Sequence, residues 1–180
     1  MIGPRRSALR LVLFAIPDQP ENCRDALNIS REKIENEIEN ICREVLDLVW
    51  DLLRGASSTE YRIYLLKLQG DYTRYLCEMR RGQELRNLIE KTHEYYITAT
   101  MLANKTLGSL NQTRLGLALN FSVFFYEVVQ DKGRAKGLAR EAYETGMSNP
   151  TLFNPTLFTL YYFLLLYSKR VYKLVLLLCV

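Results

Sequence analysis

Apolar residues recur along this chain at the three- and four-residue spacing of helices, and nowhere alternate as they do in strands. The clearest case is ISREKIENEIENICREVLDLVWDLL, where Ile34, Ile38, Ile41, Val45, Leu48 and Leu52 form a stripe with Glu, Lys and Arg between them. That spacing predicts a long amphipathic helix, with Asn28 or Ser30 as its cap and Gly55, Ser57 and Ser58 at its end. Before it, Pro17, Asp18 and Pro20 close an N-terminal helical segment and open a loop. After it, a second helix is predicted over residues 59 to about 81, with Leu65, Leu68, Tyr72, Leu76 and Met79 as its apolar face. Gly82 separates it from a third, residues 84 to about 107, and GSLNQT makes a short polar break. RLGLALNFSVFFYEVV is apolar enough for a buried central helix; residues 131–133 turn the chain, and RAKGLAREAYETGM begins another helix. Helix after helix joined by short polar breaks predicts an all-α, antiparallel helical array.

The pattern changes at residue 148. From there to residue 180 the chain has no acidic residue and is dominated by Leu, Tyr, Phe and Val, which divides it into a helical body, 1–147, and a hydrophobic tail, 148–180. The uncharged run 157–167 is shorter than the roughly 20 apolar residues of a membrane span, and Lys169, Arg170 and Lys173 interrupt its continuation. A membrane partner is therefore not expected. Three readings of the tail compete: a helix covering exposed core, an aggregation-prone extension, and a weak membrane anchor.

Composition narrows the function further. The chain has 180 residues, 48% hydrophobic and 24% charged, as an ordinary globular domain has. Its net charge of +4 forms no clustered basic stripe, so no nucleic-acid partner is expected. Cys23, Cys42, Cys77 and Cys179 show no CxxC spacing and His93 is the single histidine, too few clustered ligands for zinc. No metal or cofactor is expected, and the cysteines read as reduced thiols of a cytoplasmic protein. The basic, apolar start suggests a leader only superficially, because Arg10 interrupts the run and no small-residue cleavage site follows. His93 lies in KTHEYY between Glu90 and Glu94, on a helix face that reads as exposed and has no nucleophile beside it. The chain is not expected to be an enzyme.

The candidate chemistry sits on the second of the predicted long helices. Lys67, Asp71, Arg74 and Tyr75 stand at i, i+4, i+7 and i+8 and share one stripe. A guanidinium forks onto two phosphate oxygens and a phenol adds a third donor, while Asp71 can hold an arginine in place between ligands. Asn120, among Leu119, Phe121 and Val123, can pair both donor and acceptor with an extended peptide. Taken by themselves, these residues read first as a solvated helix face and a satisfied interface amide, and Arg5, Arg6 and Arg10 as an ordinary basic face.

Five stretches, in consistent order, resemble the 14-3-3 family. GPRRSALR is similar to its arginine-bearing third helix, REKIENEIENIC to its fourth, KLQGDYTRYLCEM to its fifth, RLGLALNFSVFFYEV to its seventh and AKGLAREAYE to the start of its eighth. The resemblance covers about residues 2–147 and is most specific in GDYTRYL and RLGLALNFSVFFYE. It implies a cup of antiparallel helices whose groove grips phosphoserine or phosphothreonine peptides of signalling proteins. It assigns phosphate binding to Arg6, Arg74 and Tyr75, and the peptide groove to Lys67, Leu119, Asn120, Val123 and Glu127.

The departures matter as much. The family's first helices, the lysine of its phosphate pocket and its final helix find no counterpart. Gln69 stands where many members carry a basic residue, and Ser30 where they carry a tyrosine at the dimer contact. Lys33 and Glu37 fall where the fourth helix meets a partner's N-terminal helices. The resemblance therefore implies an adaptor with impaired affinity and dimerisation. The alternative is a helical fragment that pairs with, or disturbs, intact 14-3-3 proteins.

Overall fold

In the computed structural model, residues 1–147 are described, and the tail 148–180 lies outside them. Prolines and glycines set the joints between helices. Helix α1, Gly3–Ala15, carries Pro4 in its first turn, where a missing N–H leaves no intrahelical bond unmade. It runs into a 3-10 turn, Ile16–Asp18, which the extended Gln19 ends, and Pro20 then stands at the N-cap of the next helix.

Helix α2 starts at Glu21 and runs unbroken to Arg54, so neither Asn28 nor Ser30 begins it. Ser30 lies inside the helix, its hydroxyl donating to the Ala26 carbonyl 3.0 Å away. The physical reason is that nothing between Glu21 and Ser30 breaks a helix once Pro20 has started it. Arg24 fastens that start by donating from Nε to the Gln19 carbonyl at 2.6 Å.

Helix α3, Thr59–Cys77, is capped by Ser58, whose hydroxyl accepts from the Tyr61 N–H at 3.2 Å. It stops at Cys77 rather than near residue 81. Gly82, at φ +61°, then takes the left-handed conformation that only glycine adopts freely and opens helix α4, Gly82–Thr106. Asn111 caps helix α5, Gln112–Phe124, accepting from the Arg114 N–H at 3.1 Å. The predicted single helix over 114–129 instead widens into a π-helical turn, Phe125–Val129, closed by Gln130 at φ 62°. Helix α6, Lys132–Met147, follows.

All the described elements are helical, and successive helices pack as neighbours in the all-α array that the spacing predicts. Helix α3 is the hub, in contact with α2, α4 and α5. Its burial differs from the pattern-based expectation. Leu65 is buried, but Leu68, Tyr72, Leu76 and Met79 are only half-buried, whereas Gln69, Asp71, Thr73 and Arg74 are nearly sealed from solvent. From Leu65 to Cys77 the flanking helices leave α3 no exposed residue, so polarity along that stretch reports partners rather than exposure. The main core joins Ile63 of α3 to Tyr96, Ala99 and Ala103 of α4 and to Leu117, Phe121, Phe124 and Phe125. A second cluster joins Leu9 of α1 to Ile38 and Cys42 of α2. His93 is not on an open face, as the sequence suggests; its ring meets Phe121 and Phe125 edge-on, with centroids 5.7 and 5.9 Å away.

Cys42 and Cys77 are buried free thiols, while Cys23 is exposed. Burial pushes the Cys42 thiol up to about 12 and the Cys77 thiol to about 11. A raised thiol contributes stability that is complete below the unfolded value near 9.0 and drains away as pH rises toward the folded one. We expect about 1.4 kcal/mol per thiol to be lost by pH 10, read as a falling urea midpoint. A Cys42→Ala/Cys77→Ala chain should show a shallower alkaline slope.

Candidate phosphate-binding site

Four elements deliver polar and charged side chains to one place. Helix α1 brings Arg6 and Arg10; α3 brings Lys67, Asp71, Arg74, Tyr75 and Glu78; α4 brings Tyr96; α5 and its π-helical extension bring Asn120 and Glu127. The guanidinium carbons of Arg6 and Arg74 lie 3.8 and 4.7 Å from the centre of the Tyr75 ring. Both arginines are buried, at 2% and 5% exposure. Cation–π contact of this kind holds two like charges beside one aromatic ring at lower cost than bare proximity would.

Carboxylates complete the network. Arg6 Nη2 donates to Glu78 Oε1, and Arg10 Nη2 donates to the same oxygen at 3.1 Å. Arg10 Nη2 also lies 3.6 Å from Glu127 Oε1, and the other Glu127 oxygen accepts from Arg74 Nη1 at 3.4 Å. On the far side, Lys67 Nζ donates to Asp71 Oδ2 at 2.7 Å. Asp71 Oδ1 accepts from the Tyr96 hydroxyl at 2.6 Å and from Asn120 Nδ2 at 2.8 Å. Arg74 Nε reaches the Tyr96 oxygen at 3.4 Å, which joins the two halves. Gly70 makes this possible: a Cβ there would stand 2.6 Å from Cε1 of Tyr96, so only a glycine lets the ring lie against α3.

Four cations share three carboxylates, so the cluster is net positive in a mostly buried setting. The imbalance is focused on Arg6, whose Nε and Nη1 are buried without a hydrogen-bond partner. Burial works against ionising Glu78, but the Arg6 and Arg10 guanidiniums outweigh it and hold the carboxyl below its usual range. Burial raises Tyr75, so its phenol keeps the proton and remains a donor. Burial opposes the charge on Arg74 too, yet Tyr96, Tyr75, Glu127 and Asp71 together hold it well above the ordinary guanidinium value. Unused N–H groups beside a phenol form a donor set suited to a tetrahedral oxyanion.

Of the residues singled out from the sequence, Arg6, Arg74, Tyr75, Lys67, Asn120 and Glu127 meet in this network. Leu119 and Val123 do not join it; they pack with Leu115, Tyr126 and Ala139 between α5 and α6. Asp71 holds Lys67 rather than an arginine, and the arginines are held by Glu78 and Glu127. Sequence reasoning missed Glu78, Arg10 and Tyr96. The first two carried a signal, since Glu78 extends the stripe four residues beyond Arg74 and Arg10 follows Arg6 by the same interval. Tyr96 carried none. Of the two residues expected at a dimer contact, Lys33 is exposed, while Glu37 accepts from Arg5 Nε of its own chain at 2.7 Å.

The fold is an all-helical array with a buried cluster of arginines, and comparison of the sequence says to which family it belongs. Residues 1–154 match the 14-3-3 protein family. The chain is 37% identical over 155 residues to the 14-3-3-like protein F of Nicotiana tabacum, covering 82% of this chain and 59% of that one. It is 38% identical over 152 residues to 14-3-3 protein homolog 2 of Schistosoma mansoni, covering 82% of this chain and 71% of that one. With the 14-3-3-like protein 2 of Caenorhabditis elegans it shares 36% identity over 152 residues, 82% of this chain and 61% of that one. The chain belongs to the 14-3-3 family. It spans about three fifths of the length of the tobacco and nematode relatives. Among the described residues, no helix is long and apolar enough to cross a membrane.

Proposed function

We propose that this chain is a cytoplasmic 14-3-3-type adaptor that binds phosphoserine or phosphothreonine segments of signalling proteins. Arg6, Arg74 and Tyr75 take the phosphate, and Lys67, Leu119, Asn120, Val123 and Glu127 follow the peptide. The observation that carries this reading is Arg6, a buried guanidinium with Nε and Nη1 unpartnered beside a second buried arginine. A buried donor without an acceptor costs about 1–3 kcal/mol, which an oxyanion placed there would recover. Binding is expected to be weak, because Glu78 and Glu127 already occupy guanidinium donors and compete with phosphate for them. No residue of the cluster acts as a nucleophile on a bound ester, so the site holds its ligand without turning it over.

Titrating a phosphoserine peptide and its unphosphorylated twin against the full chain tests this reading. We expect saturable binding of the phosphopeptide alone, weakened at least tenfold by Arg74→Ala, a change of about 1.4 kcal/mol. Equal or undetectable binding of the two peptides would remove the adaptor role.

A further inference from the structure

Beside the phosphate cluster lies an open cavity of about 450 Å³, between the ends of α1 and α3, the first turn of α4 and the π-helical turn. Arg10, Glu78 and Glu127 belong to both, and Glu78 accepts from Arg6 directly. The walls of the cavity are apolar. Leu9 and Leu13 stand one turn apart on α1, and Leu85 of α4 and Val128 of the π-helical turn complete the lining. Leu9 is sealed, whereas Leu13 is 37% exposed and Leu85 and Val128 are half-buried. Such a concave apolar lining, open to water and edged by charged groups, is of the kind that a ligand side chain covers.

The charges around the cavity decide between possible occupants. Glu78 is shared by Arg6 and Arg10, and Glu127 by Arg10 and Arg74. Arg81, exposed at the rim, donates to the backbone carbonyls of Glu78 and Arg80 and has no ion pair among the described residues. Four guanidiniums thus stand around two carboxylates. A lysine or arginine side chain entering here would lose hydration and find both carboxylates already taken. An acidic side chain would meet Glu78 and Glu127, which carry its own sign. A neutral ring meets neither difficulty: it covers the leucines and offers its face to Arg81.

We infer that this cavity takes an aromatic side chain of the phosphopeptide, from a residue near the phosphorylated one. The chain then prefers phosphopeptides with phenylalanine at that position to those with arginine there. The inference rests on the phosphopeptide reading above and adds a selectivity to it.

Alanine-based phosphoserine peptides titrated against the full chain test it, with each of the three residues on either side of the phosphoserine replaced in turn by phenylalanine or arginine. We expect phenylalanine at one position to tighten binding about tenfold over alanine, and arginine at that position to give no gain. Leu13→Gln, at a partly exposed position, should cut the phenylalanine gain to about threefold or less. Should that variant fail to fold, Leu85→Gln should do the same. Each gain is a ratio of two peptides on one protein, so a uniform loss of active protein does not move it. The unphosphorylated alanine peptide separates the two readings. If it binds as well as its phosphorylated twin, phosphate recognition fails and the selectivity falls with it. If only the phosphorylated twin binds, three results overturn the selectivity alone: no gain from phenylalanine at any position, an equal gain from arginine, or a gain that the glutamine variants leave unchanged.

Discussion

Replacing Glu78 by glutamine is expected to lower the stability of the fold by about 3 kcal/mol, the usual cost of taking one partner from a buried ion pair. Glu78 is the counter-charge of two arginines at once, and its partner Arg6 has a side chain only 3% exposed. The amide of glutamine keeps the shape and one acceptor but leaves the Arg6 guanidinium without a neutralising charge and Arg10 with Glu127 alone. A urea midpoint that falls while the slope stays constant would measure the loss. The pH dependence follows in sign. A carboxyl held below its usual range contributes stability that is complete above the unfolded value near 4.5 and is lost as pH falls through the folded one. The natural chain should therefore lose this increment in acid, and Glu78→Gln should have none of it to lose. Inorganic phosphate or sulfate should stabilise the variant more than the natural chain, because the anion no longer competes with the carboxylate. Equal stabilisation of the two would mean that the uncovered arginines do not face an anion-accessible space.

Gly70→Ala should destabilise by a similar amount, against the sign that helix propensity gives. In an exposed helix the change would be favourable by about 1 kcal/mol. Here the added methyl meets three atoms of the Tyr96 ring at 2.6–2.9 Å. Tyr96 is fully buried, in contact with Phe121 and Phe124, and has no room to retreat. Overpacking of this kind costs about 1–3 kcal/mol. Displacing the hydroxyl from Asp71 and Arg74 adds about 1–3 kcal/mol for the polar groups left behind. Tyr96→Phe, which keeps the ring and removes only the hydroxyl, should cost about 1 kcal/mol. Thermal unfolding of the two variants separates the steric part from the hydrogen-bonded part; a Gly70→Ala chain as stable as the natural one would show that the ring can move aside.

The contrast between these two residues shows what the sequence makes legible. Helix identity was readable because the apolar stripe of α2 repeats at helical spacing beside solvent. The starting point of α2 was not, because its first residues are exposed and carry neither pattern nor cap. The polar stripe from Lys67 to Tyr75 was visible as a stripe, but its burial was not. Spacing records which residues share a face, and only the neighbouring helices decide whether that face meets water. Asp71 illustrates the limit: an arginine four positions or fewer away looks like its partner, yet Lys67, Asn120 and Tyr96, the last two from other helices, take its oxygens. Glu78 could have been added by following the same stripe one turn further. Tyr96 could not, since its role depends on a glycine on another helix. The wide π-helical turn that carries Glu127 was likewise invisible, because Phe125, Tyr126 and the two valines that follow suit an ordinary helix as well.

The unequal covering of the helices also sets the order in which the molecule comes apart. Residues 21–26 are exposed at every position, whereas residues 69–71 are each sealed beneath neighbouring helices. Backbone amides near Glu21 can therefore exchange with solvent through fraying of a single helix end, on the low side of the local opening scale. Those of Gly70 and Asp71 have to wait for α2, α4 and α5 to separate, an event that approaches complete unfolding. The polar network built on α3 thus belongs to the last part of the fold to open. Loss of order at the start of α2 would leave Asp71, Tyr96 and Arg74 joined.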